Sequence, residues 1–198
     1  MYSLPKTIVL NDVTYHIRAD GDYRMVLDCF NAINDYELTE QERIIAVLLI
    51  FVDEFNDLED VAKVGKDVLD PLITEIFKFF NCGQDDCPAN HQHFKVLDWG
   101  KDAQMICSAV NSVANTEVRA LPYLHWWTFM GYFNAVGESQ LATVVSIRTK
   151  LAKHEKMEKY EKKFVQDNPQ YFNLDSRTTK QKEDDELIKQ LWSSGGAC

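Results

Sequence analysis

Residues 44–52 form an unbroken apolar run, and just ahead of it Thr39 and Glu42 have the spacing of a helix-capping box. A helix starting there carries apolar side chains on nearly every side, so it must lie at the centre with the rest of the chain packed round it. Nine residues fall far short of the roughly 20 needed to cross a bilayer. The opening residues Met1 to Lys6 show no charged leader ahead of a long apolar run. The expectation is a chain that is neither secreted nor embedded in a membrane.

Around this run the hydrophobic period changes. Two β-rich stretches, at residues 7–10 and 13–17, flank Asn11 and Asp12, a pair that tolerates the left-handed backbone of a tight turn, and so predict a small hairpin. Residues 23–33 predict a short helix. Asp70 and Pro71 combine an N-cap with a first-turn proline, so a helix is expected to begin there, bury Leu72, Ile73, Ile76, Phe77 and Phe80, and stop at Gly83. Ala103, Ile106, Cys107, Val110 and Val113 mark another, and a further helix is expected from Leu124 to Val136. Leu141, Val144, Val145 and Leu151 stripe a last one, read as continuing through a charged segment with Met157, Tyr160 and Phe164 until Asn168 and Pro169 break it. The fold class expected is mainly α, with a small N-terminal β-hairpin and a charged C-terminal helix. The expected division is a domain over residues 1–174 and a flexible polar tail over 175–198 that ends in a short apolar cluster, Leu187, Ile188, Leu191 and Trp192.

Charge and cysteine usage narrow the function classes. Residues 1–120 hold 21 acids against 10 bases, whereas residues 121–198 hold 10 against 11. The acidic first part should repel nucleic acid. The five cysteines are scattered, which suits thiols in a reducing compartment. No glycine-rich phosphate loop, nucleophile elbow or paired-histidine zinc helix is present, so no catalytic residues and no cofactor are expected. Cys82, Cys87, His91 and His93 bring four metal-capable side chains within a dozen residues. Their spacing departs from a zinc knuckle and Pro88 constrains the loop, so bound zinc is not expected.

The densest signal is the aromatic segment at residues 121–133. Trp126, Phe129, Met130 and Phe133 share one helical face and are expected to be core, while Trp127 is turned about 100° away. Two readings follow: both tryptophans pack between layers, or Trp127 with its neighbours His125 and Tyr132 forms a partner surface. The charged segment at 148–163, with seven bases and three acids, is likewise open. It is either a solvated face laced with Glu155–Lys159 and Glu158–Lys162 pairs, or a contact for an acidic surface such as residues 1–120 of a neighbouring copy, giving head-to-tail assembly.

The Leu124-His-Trp-Trp-Thr-Phe129 stretch, with Tyr132 and Phe133 following, resembles the signature of the bacteriophage gene-product-fifteen family of siphophages and prophages. Phe80 to Gly83, Leu97 to Trp99, Asp102, Ala103 and Ile106, and Val145, Ile147 and Arg148 are similar too, so the resemblance runs from the hairpin to about residue 174. Family members are encoded just ahead of the tail tape-measure gene. The resemblance implies a non-enzymatic tail assembly chaperone in the host bacterial cytoplasm, with the tape-measure protein as partner and the tail-tube protein as a further one. Leu187, Leu191 and Trp192 would suit a docking arm. A structural virion component, such as a head–tail connector, and a zinc-binding module are the rival readings.

Overall fold

The computed structural model describes residues 3–84 and 95–174. Among them the chain forms one two-stranded sheet, β1 (Thr7–Leu10) and β2 (Val13–His16), and eight α-helices: α1 (Tyr23–Ile33), α2 (Glu40–Phe51), α3 (Leu58–Ala62), α4 (Lys66–Phe80), α5 (Ala103–Ala114), α6 (Trp126–Asn134), α7 (Gln140–Ala152) and α8 (Lys159–Asp167). The protein is mainly helical with an N-terminal hairpin, as its hydrophobic periods predict.

The hairpin pairs antiparallel with Ile8 opposite Tyr15, and both side chains are buried beneath it. Asn11 and Asp12 both take positive φ, 49° and 64°, the double left-handed turn that matches strand twist. α2 opens on the expected capping box: the Thr39 hydroxyl accepts from the Glu42 amide while the Glu42 carboxylate accepts from Thr39 N–H. None of residues 44–52 is exposed, and Val47, Leu48, Phe51 and Val52 are fully buried. α1 packs along α2. The end of α4, α5 and α6 complete the core.

The sequence does not predict α3, and α6 is two residues shorter at each end than expected, but the larger departures are at two helix boundaries. α4 begins at Lys66, with Gly65 as N-cap, rather than at Asp70–Pro71. Pro71 is tolerated inside it because it lies on the exposed side, where water can serve the carbonyl that its missing N–H leaves free. The segment read as one long charged helix is two. His154 adopts φ 55°, the Glu155 amide bonds back to the Lys150 carbonyl at 2.8 Å and the His154 amide to Leu151, which together close α7 as a Schellman motif. α8 then restarts on its own capping box at Glu158. The break lets α8 fold back on α7. Ile147 and Phe164 line one cleft, whereas a continuous helix would hold them about 25 Å apart. The expected Glu155–Lys159 pair is replaced by Lys150–Glu161 at 2.7 Å.

The C-terminal elements are fastened by a buried ion pair. Arg148 and Asp102 have side chains 6% and 2% exposed and meet through two N–H···O contacts of 2.6 and 2.9 Å. The remaining Arg148 donors go to the carbonyls of Val96 and Tyr171, so all five N–H groups are used. Asp102 also accepts from the Asp98 amide. One guanidinium thus ties α7 to the start of α5, to the 95–99 segment and to the turn at Pro169–Tyr171.

Candidate interaction site

The aromatic segment folds as a junction, and its geometry starts from the end of α4. The last carbonyls of a helix lack intrahelical partners. Here the Gly83 amide takes Lys78 O and the Cys82 amide takes Phe79 O, with Cys82 (φ 56°) in the left-handed position expected of a glycine. The indole of Trp126 donates to Phe80 O and that of Trp127 to Phe79 O, both at 2.9 Å. Adjacent tryptophans that leave α6 in different directions therefore converge on consecutive carbonyls of one helix end. Gly83 is required beneath them, because a Cβ there would lie 3.0 Å from the Trp127 ring and φ is 80°.

His125 is 1% exposed, which makes it a structural residue rather than a surface contact. It is the N-cap of α6: Nδ1 accepts from the Trp127 amide at 3.0 Å, so the ring proton sits on Nε2 and donates to Pro5 O at 3.0 Å. Burial lowers its pKa below the usual histidine value, the Pro5 bond only partly opposing. Gly21 (φ 78°) lies so close that a Cβ would come 2.9 Å from Phe79 and 3.0 Å from His125. Asp22 caps α1 and receives the Leu124 amide, while the Tyr23 amide bonds Leu124 O. The N-terminal segment, α1, α4 and α6 are locked together at this point.

Protonating His125 would place an N–H on Nδ1 facing the Trp127 N–H. With the folded pKa depressed, the unfolded chain takes up the proton first, so stability falls as pH drops below about 6.5. His125→Asn keeps a capping oxygen without titrating. Urea melts between about pH 7 and pH 5 should show a shallower decline for this variant than for the unsubstituted protein. Parallel declines would assign that pH dependence to other groups.

Trp126 and Phe129 are fully buried, each 1% exposed, with Met130 and Phe133 half-buried beside them. Phe129 stacks on Tyr23 at 4.6 Å, and Trp126 meets Phe30 and Trp99. Trp127 and Tyr132 are half-buried. The outer side of Trp127 borders a cleft of about 220 Å³ that continues over Phe79 to Thr7 and Val9 of β1, with Glu75 and Lys78 at its rim.

Strand β1 adds an edge to this cleft. His16, opposite Thr7, turns its N–H to the Glu54 carboxylate and its carbonyl to the Asp53 amide, away from β1. The alternation of an antiparallel ladder then turns the N–H and C=O of Thr7 and Val9 outward from the opposite edge. Val9 is 63% exposed.

The metal candidates Cys87, His91 and His93, and the tail cluster Leu187, Leu191 and Trp192, lie outside the described residues. Cys82 is half-buried, and burial raises its thiol pKa. Among the described residues no cluster of three metal-capable side chains occurs, and no helix is long and apolar enough to cross a membrane. Sequence reasoning missed the structural roles of Asp22, Asp102 and Arg148. Asp102 and Arg148 do fall within the segments that carry the family resemblance, a signal that could have marked them.

No curated protein and no solved structure matches this chain. A family model, Bacteriophage Gp15 protein, matches residues 2–174, which takes in the hairpin, the aromatic junction and the Arg148–Asp102 clamp. The chain belongs to the bacteriophage Gp15 protein family, and membership points to a phage structural or assembly protein.

Proposed function

We propose that this protein is a tail assembly chaperone that holds segments of the tape-measure protein, without catalysis, until tail-tube subunits replace it. The observation that carries this reading is the family match over residues 2–174, combined with the gene position that the family resemblance implies. One feature of the geometry supports the reading. A small apolar cleft beside an open strand edge suits an extended segment, whose main chain pairs with Thr7 and Val9 and whose side chain enters between Phe79 and Trp127. A cleft of about 220 Å³ accepts one or two side chains, so strand addition fits it better than a helix laid along a groove.

Co-expression with fragments that tile the tape-measure protein should keep some of them soluble and bound. Val9→Asp puts a charge on the exposed edge, where it should cost the fold about 1 kcal/mol, the span of strand propensity. Capture of the responsive fragment should fall about tenfold or more. If no fragment gains solubility or co-purifies, the chaperone reading fails; an unaltered capture by the Val9 variant would move the site elsewhere. Mass spectrometry of purified particles separates the rival reading, since a virion component would be present at stoichiometric level.

A further inference from the structure

We infer that copies of this chain associate head to tail, with the α3 corner of one seated in the α7–α8 cleft of the next. The inference does not depend on the tape-measure reading, and it concerns the protein alone. The cleft, about 290 Å³, is walled by Ile147, Tyr160 and Phe164, with Lys163 and Asp167 on its rim. Tyr160 is 67% exposed, so one wall of the cleft is open to solvent. Around it Lys153, Lys156, Lys159, Lys162 and Lys163 are exposed and form no ion pair among the described residues; Arg148 and Lys150 are spent internally on Asp102 and Glu161. Glu155, Glu158 and Asp167 offset this surplus only partly.

The occupant is identified by what α3 displays. Leu58 is 63% exposed, and the carboxylates of Asp57 and Glu59 flank it. Asp53, Glu54 and Asp60 stand close in sequence and have local partners in Arg18, His16 and Lys63, whereas among the described residues Asp57 and Glu59 form no ion pair, the Asp57 carboxylate accepting only the Asp60 amide as the cap of α3. In the proposed contact, an apolar side chain between two acids without a salt-bridge partner among the described residues meets an apolar cleft bordered by lysines that likewise have none there. Within one chain the surfaces belong to different neighbourhoods: α3 packs on α2, α7 packs on α5, and α8 on the turn at Pro169–Tyr171. A contact between unlike surfaces leaves each end free to bind again, so it extends into a ring or open spiral instead of closing as a dimer.

The test is sedimentation of the full chain at about 100 µM in low salt and again in about 0.5 M salt, where exposed charge pairs are screened. Two neutralised variants accompany it, Asp57→Asn/Glu59→Gln, which retains the α3 cap, and Lys159→Gln/Lys163→Gln. The expected result is mass above that of a dimer at low salt, collapsing toward the 22.9 kDa monomer at high salt. Each variant alone should remain monomeric, with association weakened about tenfold or more. Their mixture should stop at a one-to-one pair, because each supplies the face the other lacks. A parent chain that is monomeric in low salt overturns the proposal, as does assembly that neither variant alters. Binding of a short DNA duplex lost only in the lysine variant would assign that surface to nucleic acid and overturn it too.

Discussion

Arg148→Met is expected to destabilise the protein by about 3–5 kcal/mol, because it leaves the Asp102 carboxylate buried without its counter-charge. The carbonyls of Val96 and Tyr171 lose their donors in the same step. The loss should also be local before it is global: hydrogen exchange in α8 and in the turn at Pro169–Tyr171 should rise more than exchange in α2, since Arg148 holds the Tyr171 carbonyl of that turn to α7. Replacing both partners, Asp102→Leu with Arg148→Met, should recover part of the stability by removing the orphaned charge. Recovery stays incomplete while the two carbonyls lack donors and the Asp98 amide lacks its acceptor. Urea unfolding of the three variants measures this. A cost below about 1 kcal/mol for Arg148→Met would mean that water reaches the pair and that it is not a clamp.

Trp126→Ala should cost a similar about 3–5 kcal/mol, as a large-to-small change at a 1% exposed site that also removes the donor to Phe80 O. Trp127→Ala should cost less, about 1–2 kcal/mol, because that ring is half-buried and loses one hydrogen bond, to Phe79 O. Under the proposed function the order should reverse for tape-measure capture, because Trp127 borders the cleft and Trp126 does not touch it. Thermal unfolding of dilute monomer, set beside fragment capture, reads both quantities. Equal and large stability losses would show that Trp127 serves the core alone, and the cleft would then have no aromatic wall reserved for a partner.

Much of the architecture is legible from local chemistry. The Thr39–Glu42 capping box, the Asn11–Asp12 turn, the span of α1 and the apolar face of α5 follow from interactions within a few residues, and the sequence states those directly. The apolar run at residues 44–52 likewise announces its own burial. Local signals misled in two places. Asp70 and Pro71 look like a helix start, yet the proline sits on an exposed face and the helix takes in an extra turn. The run after Arg148 looks like one helix, yet the chain turns back at His154 and the Lys150–Glu161 pair joins the two halves.

At the candidate site the division is sharper. The sequence marks residues 121–133 as the segment where several surfaces meet, because two adjacent tryptophans cannot share one helical face. It does not say that both indoles reach consecutive carbonyls of α4, that His125 faces inward as a cap, or that the open edge of β1 lies beside Trp127. Those partners stand 46 to 120 residues apart along the chain. Sequence by itself determined the helix periods, the turns and caps, and the uneven distribution of charge, all of which depend on spacing along the backbone. Only the tertiary structure decided which polar group meets which, since a hydrogen bond or buried ion pair is set by position and direction in space, and chain separation carries neither.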